Sequence, residues 1–319
     1  MNRRTFLSLT ASVVALEASA KGGRMPIIDT HIHLFDPRRP QGIPWPDKDD
    51  KLMYQPTLPD RFRQVSKGLG VVGVIEVECS PWLEDNQWVL DVAAKDTIIV
   101  GTVGDLEPGK ADFRKNLERF RMNPLFRGIR CGNLWGRNLA EDLLKAEFIA
   151  DLKALAKANL SLDTANQDAP LIGAAVRITD EIPNLRLVID HLPHMDPPKD
   201  PQARQKLESD LRELAARPQV FLKVSEVLRR DGGQVRYDLG FYRARLDELW
   251  GRFGEDKLMY GSDWPNSDPW GSYPQVLNLV HEYVMGKGET VAEKFFWKNS
   301  ARAYHWVKRA ADQPEPHVT

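Results

Sequence analysis

The chain has 319 residues, of which 42% are hydrophobic and 28% charged, values typical of a globular protein with a sizeable core. Its formal net charge of −1 gives no electrostatic reason to expect nucleic acid or an anionic membrane surface as a partner. The two cysteines, Cys79 and Cys131, are too few for a disulfide scaffold. Two buried free thiols are favoured, and a single bridge stays open.

The first twenty residues differ in character from the rest of the chain. Paired arginines at positions 3 and 4 precede an apolar stretch over residues 7–16, and Ala18-Ser19-Ala20 supplies the small residues of a cleavage site. This arrangement is typical of a secretory signal of the twin-arginine type and is too short for a membrane-spanning helix. A general secretory signal with two arginines is the alternative. We therefore expect residues 1–20 to be a signal peptide and the mature protein to be exported, to the periplasm, with no remaining membrane contact.

Eight short apolar runs follow at fairly regular spacing. They cover residues 27–35, 71–79, 97–106, 126–131, 160–163, 185–191, 220–224 and 257–260. Amphipathic stretches lie between them, such as Leu207, Leu211 and Leu214, whose spacing places them on one face of a helix. Strand and helix alternating eight times predict parallel strands joined by helical crossovers.

The predicted fold is therefore α/β, a single-domain (β/α)8 TIM barrel over residues 26–308. A doubly wound open sheet is the alternative, but no Gly-x-Gly-x-x-Gly turn follows the first strand. Residues 309–319 are predicted to be a polar, frayed C-terminal tail without a function.

Two histidines one residue apart end the first predicted strand. Side chains alternate on a strand, so Asp29, His31 and His33 are expected to share one face. Paired imidazoles are suited to binding one divalent cation or gripping one substrate. The alternative is a polar pair at the end of a strand that has no role in binding.

Ionisable residues also occupy the other predicted strands, at or near their ends. They are Glu76 and Glu78 on the second strand, Arg130 on the fourth, Asp163 on the fifth, Asp190 and His191 on the sixth, Lys223 and Ser225 on the seventh and Asp263 after the eighth. Each has a plain structural explanation by itself; His191, for example, could be a satisfied core histidine. The carboxyl ends of the strands of a barrel meet at one face, so the whole set favours a functional site there. Four tryptophans are candidates for its wall: Trp45, Trp82, Trp135 and Trp264.

These motifs resemble those of the amidohydrolase superfamily. The resemblance is carried by Asp29-x-His31-x-His33, Asp190-His191 and Gly261-Ser262-Asp263-Trp264-Pro265, with support from Val77-Glu78-Cys79-Ser80-Pro81 and Arg127-Gly128-Ile129-Arg130. It covers about residues 26–308. Within the superfamily the sequence is similar to the amidohydrolase 2 branch of predicted metal-dependent TIM-barrel hydrolases, which includes sugar-lactone and 2-pyrone-4,6-dicarboxylate lactonases.

The resemblance implies a site in which His31, His33, Asp263 and His191 surround a metal ion or a water molecule. One divalent cation, Zn²⁺ in the first place, is the expected cofactor, and operation without a metal stays open because some members of the branch work without one. Many relatives have a carboxylated lysine or a glutamate on strand four and a histidine on strand five. Arg130 and Asp163 stand there in this chain, so a binuclear centre is not expected.

Asp263 and His191 are the expected catalytic residues, with Asp263 taking a proton from water and delivering it to the leaving oxygen. Arg130, Lys223, Glu78 and Trp264 are the expected substrate-binding residues. A guanidinium can hold a carboxylate through two parallel hydrogen bonds, so Arg130 favours an acidic or polyhydroxylated small molecule as the partner. Glu78 stands where related sequences of the branch often have Gln, which is expected to alter the charge preference of the pocket.

The expected function is the opening of a lactone of a sugar acid or dicarboxylic acid by an activated water. Two alternatives stay open: a Zn-dependent non-oxidative decarboxylase of the same superfamily, and a non-catalytic periplasmic protein that binds organic acids or carbohydrates. His194, His281, His305 and His317 are given no role in the chemistry. The sequence does not determine the oligomeric state.

Overall fold

Residues 24–193 and 197–316 are described by the computed structural model. Eight parallel strands form one nearly closed barrel with helices between them, which confirms the predicted single-domain TIM barrel. The predicted signal segment, His194 and His317 lie outside the described residues. In the part of the chain that is described, no helix is long and apolar enough to cross a bilayer.

The barrel strands follow one another in chain order around the sheet. They are β1 (Ile27–Ile32), β2 (Val71–Val77), β3 (Ile99–Gly104), β4 (Phe126–Arg130), β5 (Ser161–Asp163), β6 (Leu187–Ile189), β7 (Val220–Val224) and β10 (Leu258–Tyr260). A short hairpin, β8 (Arg230–Asp231) and β9 (Gln234–Val235), is inserted after β7.

Helices connect the strands on the outside of the barrel. They are α1 (Pro59–Val65), α2 (Leu83–Lys95), α3 (Phe113–Arg121), α4 (Leu139–Asp142), α5 (Ala146–Lys157), α6 (Ala169–Glu181), α7 (Pro201–Ala216), α8 (Leu239–Phe253) and α9 (Tyr273–Met285). The chain continues through α10 (Glu289–Glu293), one π-helical turn (Lys294–Lys298) and α11 (Asn299–Tyr304).

Helix α7 shows how the sequence specifies the outer layer. The Asp200 side chain accepts a hydrogen bond from the Ala203 backbone at 2.7 Å, and Pro201 begins the helix without needing a partner for its nitrogen. Its apolar stripe of Leu207, Leu211 and Leu214 is buried against the barrel, as the spacing predicts.

Two apolar layers make up the core. The barrel interior is filled by side chains that alternate with those of the outer layer: Ile28, Ile75, Val77, Val100, Val103, Val188, Phe221 and Met259. Ala301, Ala303, Tyr304 and Trp306 pack onto this interior from the end at which the strands begin. The opposite end, which we call the mouth, is left for the polar residues.

The barrel closes between β1 and the segment after β10. The Asp263 amide donates to the His31 carbonyl oxygen at 2.8 Å, and the His33 amide donates to the Trp264 carbonyl oxygen at 2.8 Å. Thr30 adds a side-chain hydrogen bond to the Tyr260 carbonyl oxygen at 2.6 Å. Closure therefore fixes the first strand and the last strand against each other at the residues that the sequence singled out.

The described part of the C-terminal tail, residues 309–316, is anchored, which corrects the prediction that it is frayed. The buried Gln313 amide donates to the carbonyl oxygens of Val72 and Thr97, each at 2.9 Å. Arg309 donates to three more carbonyl oxygens around the start of β3, those of Ala93, Asp96 and Ile99. Chain ends that supply polar groups to unpaired strand carbonyls are held in place, and composition alone does not reveal this.

We expect Gln313→Ala to lower the free energy of unfolding by about 2–3 kcal/mol, because it leaves buried backbone groups without partners. Urea denaturation measures the loss, and kcat/KM should stay unchanged because Gln313 lies at the end of the barrel opposite the mouth. Asp312→Asn, on the same segment but exposed, is the matched control. A loss below about 0.5 kcal/mol would show that the anchoring contributes nothing to stability.

Both cysteines are free and buried in the structure. The Cys79 thiol lies 3.6 Å from the Leu34 carbonyl oxygen. The prediction of two buried thiols is thus confirmed.

Candidate active site

Three predicted residues meet at the mouth of the barrel. Nε2 of His31 and Nε2 of His33 lie 3.4 and 3.2 Å from Oδ1 of Asp263. One nitrogen or oxygen from each of the three residues lies within 4.8 Å of the other two. All three residues are at least 96% buried. The convergence expected from two histidines and one late aspartate, more than 200 residues apart, is present in the structure.

The orientation of His33 is fixed by the neighbouring strand. Its Nδ1 lies 2.8 Å from the Val77 carbonyl oxygen, which can only accept a hydrogen bond. Nδ1 of His33 therefore carries a proton, and Nε2 faces Oδ1 of Asp263. Such an arrangement prepares a histidine to accept a proton or to bind a metal ion.

Asp263 is held as a carboxylate. Its Oδ2 accepts a hydrogen bond from Asn266 at 2.6 Å. Burial works to raise the pKa of Asp263, but the contacts to His33, His191 and Asn266 together hold it below its usual value. The group is therefore ionised at neutral pH.

His191 joins this cluster from β6. Its ring centroid lies 4.9 Å from that of His31, and its Nδ1 lies 2.8 Å from the Ser225 hydroxyl. Burial lowers the pKa of His191 to about 4, and burial together with Lys223 holds the pKa of His31 well below its usual value. Both rings are consequently neutral near pH 7, able to donate from one nitrogen and accept at the other.

Three residues that follow successive strands share an unusual backbone conformation. His191, Glu226 and Asp263 have φ angles of +60°, +50° and +59°. Residues with a Cβ rarely adopt this left-handed region, and such strain concentrates at functional sites. Ligand atoms of the three residues also lie within 4.8 Å of one another. The strained backbone conformation of the three residues therefore occurs where their side chains point to one spot.

Lys223 does not reach the surface, which corrects its predicted role as a substrate-binding residue. Its ammonium lies 2.7 Å from Asp163, 2.8 Å from Asp190 and 3.3 Å from Nδ1 of His31, with all four residues 0% exposed. Burial opposes its charge, but Asp163 and Asp190 raise the pKa of Lys223. The Lys223 ammonium makes these three contacts beneath the site. Its contact with Nδ1 holds the His31 ring in position, so Lys223 is a positioning residue for His31.

Arg130 and Glu78 form a pair at the mouth. Nε of Arg130 donates to the Glu78 carboxylate at 2.8 Å, and Nη2 donates to the Glu78 carbonyl oxygen at 2.7 Å. The other carboxylate oxygen of Glu78 accepts from the Ser80 amide at 3.0 Å and from the Trp135 indole at 3.2 Å. Both predicted residues are thus present at the site, bound to each other.

Trp264 lies outside the site, which corrects its predicted contact with substrate. The side chain is 0% exposed and packs against Phe62, with Arg61 stacked over the ring at 5.0 Å. Asp263 points into the barrel, and the next side chain, that of Trp264, points into the layer between the barrel and the helices.

Asp29 likewise faces away from His31 and His33. Its carboxylate accepts hydrogen bonds from the Ser262 amide at 2.9 Å and from the Tyr273 hydroxyl at 2.8 Å. The pairing of β1 with β2 shifts register between Asp29 and Ile32, and this irregularity breaks the expected common face. Asp29 thus fastens β1 to the last strand and to α9.

The cleft beside Asp263 is lined by polar and aromatic side chains. Glu226, Arg229, Asn266, Ser267 and Trp270 form much of its wall. Among the predicted wall tryptophans, Trp45 contacts the His33 ring at 5.6 Å and Trp135 bonds to Glu78, while Trp82 is 38% exposed. His281 and His305 lie away from this site, in contact with Phe296 and Asn159 respectively.

Sequence reasoning missed Glu226, Asn266 and Tyr304. Glu226 lies two residues after the end of β7, and Asn266 lies three residues after Asp263. Both could have been found by the rule that functional groups follow the carboxyl ends of barrel strands. Tyr304 donates to Asp163 at 2.6 Å from the opposite end of the barrel, and no local pattern signals such a contact.

The donor set fits one divalent metal ion. Two imidazoles and one carboxylate are ordinary zinc ligands, and the buried Nε2 of His31 has no hydrogen-bond partner among the residues that the structure describes. Lys223 at Nδ1 of His31 favours a proton on Nε2, so binding of a metal requires that proton to move. The ring proton would then sit on Nδ1, which faces Oδ1 of Asp190 at 3.7 Å.

Comparisons with known proteins find relatives in sequence and in fold. An L-fucono-1,5-lactonase of Burkholderia ambifaria is 28% identical over 249 residues, which cover 75% of this chain and 80% of that protein. An amidohydrolase from Burkholderia multivorans with bound zinc has a TM-score of 0.75 at 21% identity, covering 88% of this chain and 99% of that chain. A Pseudomonas putida protein provisionally named 2-pyrone-4,6-dicarboxylic acid hydrolase has a TM-score of 0.67 at 20% identity, covering 88% and 98% respectively.

The amidohydrolase family (Amidohydro_2) matches residues 28–306, nearly the whole described chain. The family match, the barrel and the convergent His31, His33 and Asp263 lead to one assignment. The chain belongs to the amidohydrolase family and is a hydrolase.

Proposed function

We propose that the protein opens the ring of a lactone of a sugar acid or dicarboxylic acid by attack of an activated water. One observation carries the proposal: the ionised Asp263 and the imidazoles of His31, His33 and His191 surround one spot that borders an accessible cleft. The names of two relatives, L-fucono-1,5-lactonases from Burkholderia ambifaria and Burkholderia multivorans, support a cyclic ester as the substrate.

Asp263 serves as the general base. It removes one proton from the attacking water, whose oxygen forms a bond to the lactone carbonyl carbon. When the ring C–O bond breaks, the same proton passes from Asp263 to the leaving oxygen, so the product is a hydroxy acid. Asn266 holds Oδ2 at 2.6 Å, which keeps the carboxylate aimed during both transfers.

The imidazoles stabilise the charge that develops on the carbonyl oxygen. Lys223 against Nδ1 of His31 leaves the proton on Nε2, which points toward the reaction spot as a hydrogen-bond donor. His191, held through Nδ1 by Ser225, provides a second neutral ring. Preorganised donors in a buried site stabilise an oxyanion without reorganising at the moment of reaction.

When bound, a Zn²⁺ ion held by His31, His33 and Asp263 would polarise the carbonyl and lower the pKa of water. We expect purified protein to take up about one equivalent of Zn²⁺ per chain, as measured by calorimetry and elemental analysis. His33→Ala should abolish uptake, since it removes a ligand. Binding of zinc equally well by this variant would contradict the site.

The proposed activity is tested with a panel of aldono-1,4- and 1,5-lactones, aldarolactones and 2-pyrone-4,6-dicarboxylate. Opening of a lactone releases one proton, because the hydroxy acid formed is ionised near neutral pH, and a pH-stat or a pH indicator follows it. Release of carbon dioxide from a hydroxybenzoate, with no lactone opened, would instead support the decarboxylase alternative. Binding of panel members without any turnover would support the binding-protein alternative.

A further inference from the structure

We propose that Glu78 sets the charge preference of the site and that the substrate is a polyhydroxylated lactone without a carboxylate group. This inference rests on the proposed function and narrows it to one of the two lactone classes. The observation behind it is the buried pairing of Glu78 with Arg130 at the mouth of the barrel.

Glu78 occupies the side of Arg130 on which Nε and Nη2 form a parallel pair of donors. Two parallel donors make the strong contact of a guanidinium with a carboxylate. In this structure Nε and Nη2, the donors of one such pair, are both occupied by Glu78. Nη1 faces Asp190, whose carboxylate lies 3.9 Å away. An incoming substrate carboxylate would reach only the other end of the guanidinium, whose charge is already paired with that of Glu78.

The charged groups nearest to the cleft also disfavour an anion. Asp263 borders the cleft, and Lys223 is enclosed by Asp163 and Asp190 beneath the site, so its charge is already paired. Arg229 in the cleft wall donates to the main-chain carbonyl oxygens of Glu226 and Leu228. A substrate carboxylate beside Asp263 would bring two like charges together, which is costly in a buried site.

The same groups are well suited to hydroxyls. A carboxylate only accepts hydrogen bonds, and each sugar hydroxyl can donate one. Glu226, with 42% of its side chain exposed, and Asn266 line the cleft beside Asp263. Trp270 in the same wall is 38% exposed and offers an apolar face to the C–H side of a sugar ring. Acceptors next to an aromatic face are the chemistry that recognises a neutral polyol.

The test uses two pairs of lactones that differ only at carbon 6. They are D-galactono-1,4-lactone with D-galactaro-1,4-lactone, and D-glucono-1,4-lactone with D-glucaro-1,4-lactone; the second member of each pair carries a carboxylate. Values of kcat/KM are measured for the natural protein, for Glu78→Gln and for the control Glu147→Gln, which changes an exposed glutamate on α5. Circular dichroism and thermal melting check that the variants are folded.

We expect the natural protein to prefer the neutral member by about tenfold or more, and Glu78→Gln to reduce that preference by about tenfold because it frees the guanidinium. Glu147→Gln should leave the preference unchanged. Faster opening of aldarolactones or of 2-pyrone-4,6-dicarboxylate by the natural protein would overturn the inference even if Glu78→Gln failed to fold. An unchanged preference in folded Glu78→Gln would overturn it too. Absence of turnover on every lactone of the panel would overturn the proposed function itself.

Discussion

Asp263→Asn is expected to reduce kcat/KM for lactone opening by about 10³-fold, within the range that general-base catalysis contributes. The amide keeps the size of the side chain and can still bond to Asn266, but it cannot take a proton from water. His33 keeps its hydrogen bond with the Val77 carbonyl oxygen and His31 its contact with Lys223. The folded structure is therefore expected to persist, and steady-state kinetics with a melting curve separates lost chemistry from lost folding.

Asp256→Asn provides the matched control for this substitution. Asp256 is exposed, and its carboxylate pairs with Lys294 at 2.8 Å, just before β10. The control should change kcat/KM by less than about twofold, since exposed pairs contribute little. If Asp263→Asn retained more than a tenth of the activity of the natural protein, another residue would have to be the base.

Lys223→Met is expected to lower the free energy of unfolding by about 3–5 kcal/mol. Its ammonium is the shared partner of Asp163 and Asp190, and all three groups are fully buried. Removal of the one cation leaves two carboxylates in a region of low polarity, where an unpaired charge is costly. Chemical denaturation followed by fluorescence gives the loss directly.

A second substitution makes the cause of that loss testable. Lys223→Met combined with Asp163→Asn removes one of the stranded charges, so the double variant should be more stable than Lys223→Met alone. Lys153→Met, on the exposed face of α5, should change stability by no more than about 0.5 kcal/mol. A loss below about 1 kcal/mol in Lys223→Met would show that the three groups are not coupled by charge.

The barrel and the central residues of the site follow from local patterns. Apolar runs that alternate with helical stripes can bury both faces of each strand only in a parallel sheet covered by helices. In a closed parallel sheet the carboxyl ends of all strands meet at one mouth. The sequence alone was therefore enough to predict that His31, His33, His191 and Asp263 lie close together. Periodicity and position along a strand carry this information.

The functions of Lys223, Trp264 and Asp29 could not be obtained in the same way. Alternation assigns a side chain to a face, but the depth of Lys223 within the barrel depends on the stagger of neighbouring strands. A register shift in β1 turns Asp29 outward, and the left-handed backbone of Asp263 precedes a Trp264 that faces the outer layer. The spacing of residues in the sequence does not predict a register shift or a left-handed backbone conformation of this kind.

The amino-acid sequence by itself determined that His31, His33, His191 and Asp263 are gathered at the mouth, because strand order and strand polarity are encoded in the hydrophobic pattern. Only the tertiary structure decided which of those residues bind each other. Arg130 pairs with Glu78 across the intervening strand β3, and Lys223 joins groups from β1, β5 and β6. These pairs depend on distances between elements far apart in the chain, and such distances are set only when the barrel closes.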